Sequence, residues 1–152
     1  FNFKDDNQHS HSTKGGFIVD DNQIASTTTI IEATSLNKFI NNLKFSNEKK
    51  IFIKIDLEGY DFNAIYGCDE IINKFYVLIL FEFSKMATNS KIYKFEDFQY
   101  FLEKNNLIIL DINLNEISLL DLHNNLNKLK KKYDVLGNFL LIKRENKNLL
   151  KK

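Results

Sequence analysis

Phe52-Ile53-Lys54-Ile55-Asp56-Leu57-Glu58-Gly59-Tyr60-Asp61 passes from an apolar run into three carboxylates and a glycine. Acids placed just past a buried strand lie where open α/β sheets hold their ligands. Glu82 closes a second apolar run, Phe75 to Phe81. If the two runs are neighbouring strands, their acids point into one crevice. Carboxylates crowded in a partly desolvated crevice raise one another's pKa, which turns an acid into a general base near neutral pH. A plainer alternative stands beside this one. Asp56 and Asp61 can satisfy amides at the following helix start, Gly59 can supply a tight turn, and Glu82 can pair with Lys54 or Lys85.

Other chemistries have less to draw on. His9 and His11 alternate in a polar stretch far in sequence from His123, with no Cys or acid cluster at metal-ligand spacing, so a His-based metal site is not expected. Asp56, Glu58 and Glu82 together can hold Mg²⁺ through oxygen ligands, which leaves a carboxylate-metal hydrolase as a third-ranked reading. The formal net charge of +1 gives no long-range field for nucleic acid. Only the last quarter is basic, through Lys128, Lys130, Lys131, Lys132, Lys143, Arg144, Lys147, Lys151 and Lys152, and this reads as a solvated face. Cys68 is the single cysteine, which excludes an intrachain disulfide and fits a reducing compartment. The longest apolar run, Val77 to Phe81 with its flanks, is too short to span a bilayer. No membrane partner and a cytoplasmic location are expected.

The elements that must position these acids alternate. Phe1 to about Asn22 is polar and reads as loop with one weak strand near Phe17-Ile18-Val19, where Gly15-Gly16 is a turn. Ile24 to Ala33 is β-branched and Thr-rich, hence extended; Thr34-Ser35 then caps a helix with Leu36, Phe39, Ile40 and Leu43 on one face. Ile51 to Ile55 is a strand, and Asp61 to Asn73 a helix. Phe75 to Phe81 is a central strand covered on both faces. Phe95, Phe98, Phe101 and Leu102 mark a helix closed by Asn105-Asn106, Leu107 to Ile112 a strand, and Leu119, Leu122, Leu126, Leu129 and Tyr133 a helix with an apolar seam. Gly137 opens a last strand, Phe139 to Ile142. Strands alternating with helices predict a largely parallel sheet with helices on both faces.

Lys54-Ile55-Asp56-Leu57-Glu58-Gly59 resembles the Lys-Ile-Asp-Val-Glu-Gly signature of FkbM-family methyltransferases. In that family the signature precedes an acid two residues on, a helix reaching a Gly-Ala-like pair, and a strand ending in Glu; Asp61, Gly67-Cys68 and Glu82 stand in those places. Thr34-Ser35-Leu36-Asn37 resembles the family's Thr-Leu-Asp element, and Asn138-Phe139-Leu140-Leu141 its last strand. The resemblance runs from about Ile24 to Lys143. Asn37 stands where the family usually has Asp, and Tyr60 where His is common. No Asp-x-Gly-x-x-x-Gly occurs in the chain to cradle S-adenosylmethionine.

The resemblance implies strands four to seven of a Rossmann-like class I methyltransferase sheet, its C-terminal half, with the last strand inserted antiparallel. It implies transfer of a methyl group from S-adenosylmethionine to a hydroxyl of a sugar, glycan or other small molecule. Asp56, Glu58 and Glu82 are then the candidate catalytic residues, Asp56 also a cofactor contact, and Lys54, Tyr60 and Asp61 acceptor contacts. Residues 1–23 are expected to be loop, 24–144 the methyltransferase portion and 145–152 a basic tail. Because the first residue is Phe1, the chain is expected to begin inside a longer protein, whose upstream half holds the cofactor and without which this chain is inactive. A non-catalytic half-domain acting as an interaction or structural module is the alternative from another class.

Overall fold

A computed structural model describes residues 2–5, 16–19, 29–30, 34–43, 50–90 and 93–151. The chain divides into two compact units, Phe1–Thr34 and Ser35–Lys152. In the first, β1 (Asn2–Asp5), β2 (Gly16–Val19) and β3 (Thr29–Ile30) form an antiparallel sheet in the order β2-β1-β3. Strand structure thus occupies part of the stretch read as loop. A strand in a small antiparallel sheet is stabilised by its cross-strand partners rather than by local propensity, so β1 carried no signal of its own.

The second unit runs α1 (Leu36–Asn42), β4 (Lys50–Ile55), α2 (Asp61–Tyr66), α3 (Asp69–Lys74), β5 (Tyr76–Ser84), α4 (Lys85–Thr88), α5 (Phe95–Lys104), β6 (Leu107–Leu110), β7 (Glu116–Ile117), α6 (Leu119–Lys128), β8 (Val135–Lys143) and a 3-10 helix (Arg144–Lys151). Its five strands lie in the order β4-β5-β8-β6-β7. β4 and β5 are parallel, and β8 is inserted antiparallel between β5 and β6. β4, β5 and β6 therefore share one direction. The sheet is nevertheless mixed, with only one of its four neighbouring pairs parallel. The antiparallel last strand that the resemblance implied is β8; the expectation of mostly parallel pairing is corrected because that strand contributes two antiparallel pairs and a hairpin folds β7 back on β6 as a third. Asp111 builds that hairpin by accepting the amides of Asn113 and Asn115, both at 2.8 Å.

Alternation along the strands separates two apolar clusters. Ile51, Ile53 and Ile55 of β4, Val77, Ile79, Phe81 and Phe83 of β5, Phe139 and Leu141 of β8, and Leu107 and Ile109 of β6 share one cluster with residues from all six α-helices. Phe62 is its hub, fully buried, with ring centroids 4.3 Å from Tyr93, 4.7 Å from Phe98 and 5.9 Å from Phe83. The opposite face holds a smaller cluster, Ile108, Leu110 and Ile142, onto which Tyr76, Leu78, Leu114, Leu140 and Leu150 pack. Helices on both faces were expected. The described α-helices all join the first cluster, and the second face is covered only along β6 and β8, by Leu114 and by Leu150 of the 3-10 helix.

Several element bounds also differ from the sequence reading. The helix expected over Asp61 to Asn73 is two, divided at Gly67-Cys68, where the amides of Gly67 and Cys68 reach Asn63 O and Ile65 O, each at 3.0 Å. Cys68 is buried, its thiol donates to Ala64 O at 3.1 Å, and burial pushes its pKa up to about 12. α6 stops at Lys128 because Leu129 turns extended, so Tyr133 is not part of the seam. β8 starts at Val135, which places Gly137 inside the strand at φ +154° rather than at its start. The basic tail is folded: Arg144 and Lys147 donate to Glu116 at 2.8 and 3.4 Å. These contacts keep the Glu116 carboxyl below its ordinary pKa against a burial penalty that acts the other way.

Candidate functional site

Register brings the acids together. Ile55 pairs with Phe81 in the parallel β4–β5 ladder, so the residues that follow, Asp56 and Glu82, leave the ladder side by side. Glu82 does not end its strand, as the sequence reading had it. β5 continues to Ser84 because β8 keeps pairing with it, Glu82 opposite Asn138 and Ser84 opposite Val135, across an irregularity at Phe83/Ser84. Glu82 is therefore held on a rigid strand, half-buried, just beyond the point where β4 has ended.

The turn from β4 into α2 is built by Asp61. Its carboxylate accepts the amides of Leu57 at 3.4 Å and Gly59 at 3.2 Å, and Tyr60 N donates to Leu57 O at 3.2 Å. Glu58 and Gly59 both adopt positive φ, +49° and +105°. Glycine takes that conformation without strain. A side chain at position 59 would also meet the Met86 carbonyl at 3.4 Å, so the turn sits tightly against α4. Glu58 in the left-handed region is turned outward and exposed.

Electrostatics separate the four acids. Asp61 is only 1% exposed, and burial raises its pKa against the lowering effect of the Gly59 and Leu57 amides. Glu82 is raised first by burial and then by the like charge of Asp61, with smaller contributions from Asp56 and Glu58; a hydrogen bond with Ser84 acts the other way. Asp56 is half exposed and bonded to Lys54 Nζ at 2.8 Å. That bond is the largest cause of a raised Lys54 pKa.

The candidate residues thus have different standings. Asp56, Glu58 and Glu82 are brought to one end of the sheet, and Glu82 combines partial burial with a raised pKa. Asp61, read as an acceptor contact, accepts the Leu57 and Gly59 amides, which belong to the turn and not to the helix start of the plainer alternative. Lys54 is on the exposed side of β4 and engaged by Asp56; Tyr60 is half-buried beside the turn. Neither Lys54 nor Lys85 forms an ion pair with Glu82 among the described residues: Lys85 reaches Asn127 Oδ1 at 3.5 Å. No described group of three or more His, Cys, Asp and Glu side chains is arranged to hold a metal ion. His9 and His11 lie outside the described residues.

Two features had no place in the sequence reading. Ser84 supports Glu82 and also caps α4, accepting Ala87 N at 3.3 Å. A Ser directly after an apolar run was the available signal. A groove of about 610 Å³ lies between α5, β6, β7 and α6, lined by Phe95, Gln99, Leu102, Glu103, Ile117 and Arg144 among others, and none of the four acids reaches it.

Residues 1–106 match a family model described as the methyltransferase FkbM domain. No curated protein and no solved structure matches the chain. The family match takes in the opening residues that the sequence reading set apart, includes both strands of the acidic crevice, and ends before β6 and β8, leaving Asn138-Phe139-Leu140-Leu141 outside it. Since it spans well over half of the chain and every candidate residue from Lys54 to Glu82, the chain belongs to the FkbM methyltransferase domain family.

Proposed function

We propose that this chain forms the acceptor side of an S-adenosylmethionine-dependent O-methyltransferase acting on a hydroxyl of a sugar or other small molecule. The observation that carries the proposal is the parallel β4–β5 register, which sets Glu82 beside the Asp56–Asp61 turn. In this reading Glu82 takes the acceptor's hydroxyl proton, because a carboxyl with a raised pKa is a better base near neutral pH than an ordinary carboxylate. Asp56 and Glu58 orient the acceptor from the rim, and Asp61 holds the turn that carries Glu58 in place. The lone, buried thiol agrees with a cytoplasmic location, and no described helix is long and apolar enough to cross a membrane.

The described residues fit S-adenosylmethionine only in charge, a sulfonium cation being favoured beside Asp56, Glu58 and Glu82. The positions a Cβ would take at Gly59, Gly67 and Gly137 abut Met86 O, Ala64 O and the Phe139 ring, so none of these glycines opens a cradle. This favours a second reading, a non-catalytic module that keeps the fold.

Calorimetric titration with S-adenosylmethionine and transfer of labelled methyl groups to polyol and sugar acceptors separate the two. The enzyme reading expects Glu82→Gln to lower transfer by about 10²-fold, well beyond any loss of cofactor affinity. A protein bearing these residues that neither binds the cofactor nor transfers methyl groups supports the non-catalytic module.

A further inference from the structure

The insertion of β8 between β5 and β6 sets Asn138 directly across from Glu82. The pair belongs to a regular stretch of ladder that runs from Leu78 opposite Ile142 to Phe83 opposite Gly137, so neither residue can slip without moving its whole strand. Phe81 and Phe139, one step along, point into the main apolar cluster, whereas Leu78, Leu140 and Ile142 belong to the opposite face. By alternation Glu82 and Asn138 share that second face. Side chains paired in this way have Cβ atoms about 4.5–5.5 Å apart, a gap that one small ligand spans. Asp56 follows Ile55, the partner of Phe81, and extends the row on the far side of Glu82.

The three side chains differ in what they ask of a ligand. An ionised carboxylate only accepts, so Asp56 and Glu82 need protons from a hydroxyl or an amine. A carboxamide both donates and accepts. Asp56 already takes Lys54 Nζ at 2.8 Å. Asn138 is exposed, and its carboxamide meets no donor or acceptor among the described residues. A hydroxyl that donates to Glu82 leaves this amide unused. A second hydroxyl on the adjacent carbon fills it, donating to Oδ1 and accepting from Nδ2. An ammonium group is drawn to the carboxylates but offers Nδ2 no acceptor.

We infer that Asn138 is a specificity-determining residue: with Glu82 it holds two neighbouring hydroxyls of one acceptor, which selects vicinal diols, as sugars and polyols present them, over isolated alcohols. Asn138 takes this role only if the reacting hydroxyl faces Glu82, as in the function proposed above. It lies beyond residue 106, outside the stretch that matches the family model.

The test compares three ring alcohols: vicinal cis-cyclohexanediol, the isomer whose hydroxyls lie across the ring, and cyclohexanol. Nuclear magnetic resonance follows the Asn138 side-chain amide, assigned by its loss in Asn138→Ala. Its signals are expected to move with the vicinal diol and not with the other two. The vicinal diol should bind about tenfold more tightly than either. Asn138→Ala should abolish that preference, and Asn138→Ser, which keeps a donor and an acceptor, should restore part of it. The position is exposed, so both variants should fold as the wild type does, which circular dichroism checks. In methyl transfer, Asn138→Ala should lower kcat/KM for the vicinal diol about tenfold and leave that for cyclohexanol unchanged, a shift in selectivity that a merely structural role would not produce.

Transfer that occurs with the same preference in wild type and Asn138→Ala overturns the role of Asn138 and leaves that of Glu82 intact. A vicinal diol that binds through Asn138 with no transfer supports the diol site and removes the transferase. Equal binding of the three alcohols to the wild type, binding of none, or signals that move only elsewhere in the chain overturn the diol site.

Discussion

The two faces of the five-stranded sheet are built from the same strands and fare differently. One face meets six α-helices and closes over Phe62, Phe81, Phe83 and Phe98, all fully buried. The other closes only where β6 and β8 run, under Leu114 and Leu150, and is open along β4, where Lys50, Phe52 and Lys54 face solvent. Apolar side chains alone do not make a core. Phe52 is as apolar as Phe62, but no described element of its own unit crosses over it.

The sharpest way to test that contrast is to cut into each face. Phe62→Ala removes the ring that joins α2, α5 and β5, and is expected to cost about 3–5 kcal/mol in urea unfolding. Phe52→Ser at dilute concentration should change stability by no more than about 0.5 kcal/mol. A comparable loss at both positions would mean that the open face is covered in solution.

Between these extremes lies the acidic turn. Asp61→Ala leaves two turn amides without their acceptor and is expected to cost about 1–3 kcal/mol, measured by the same unfolding. Asp61→Asn keeps one acceptor oxygen and should lose less. If instead Asp61 is a free acceptor contact, both variants will keep wild-type stability.

The smallest effect is the most diagnostic electrostatically. Glu82 has a folded-state pKa above its unfolded value, so its contribution to stability is fully present below the unfolded pKa and is lost as pH rises through the raised value. Stability of the wild type relative to Glu82→Gln should therefore fall between acidic and neutral pH. Denaturation midpoints at a series of pH values check this; a difference that is flat or rises with pH removes the case for Glu82 as a tuned base.

Strand identity was readable where an apolar run was long and continuous, as in Phe75 to Phe81, because cover on both faces leaves that mark on composition. A cap was readable too. Ser35, within the Thr34-Ser35 pair, begins α1 by accepting Lys38 N at 3.2 Å. Bounds that depend on a partner were not. Glu82 is inside β5 only because β8 reaches past the end of β4, and β7 exists only because Asp111 folds it onto β6.

By itself, the sequence determined which residues are acidic, that they follow apolar strands, and that Gly59 allows a turn there, since these depend on residue type and near neighbours. The tertiary structure decided the surroundings of each acid. Asp61 and Glu82 are both carboxylates beside one turn, and only their surroundings distinguish them: one is spent on backbone amides, the other is left half-buried among like charges. Burial and nearby charge depend on chain segments distant in sequence, and they come together only when the sheet forms.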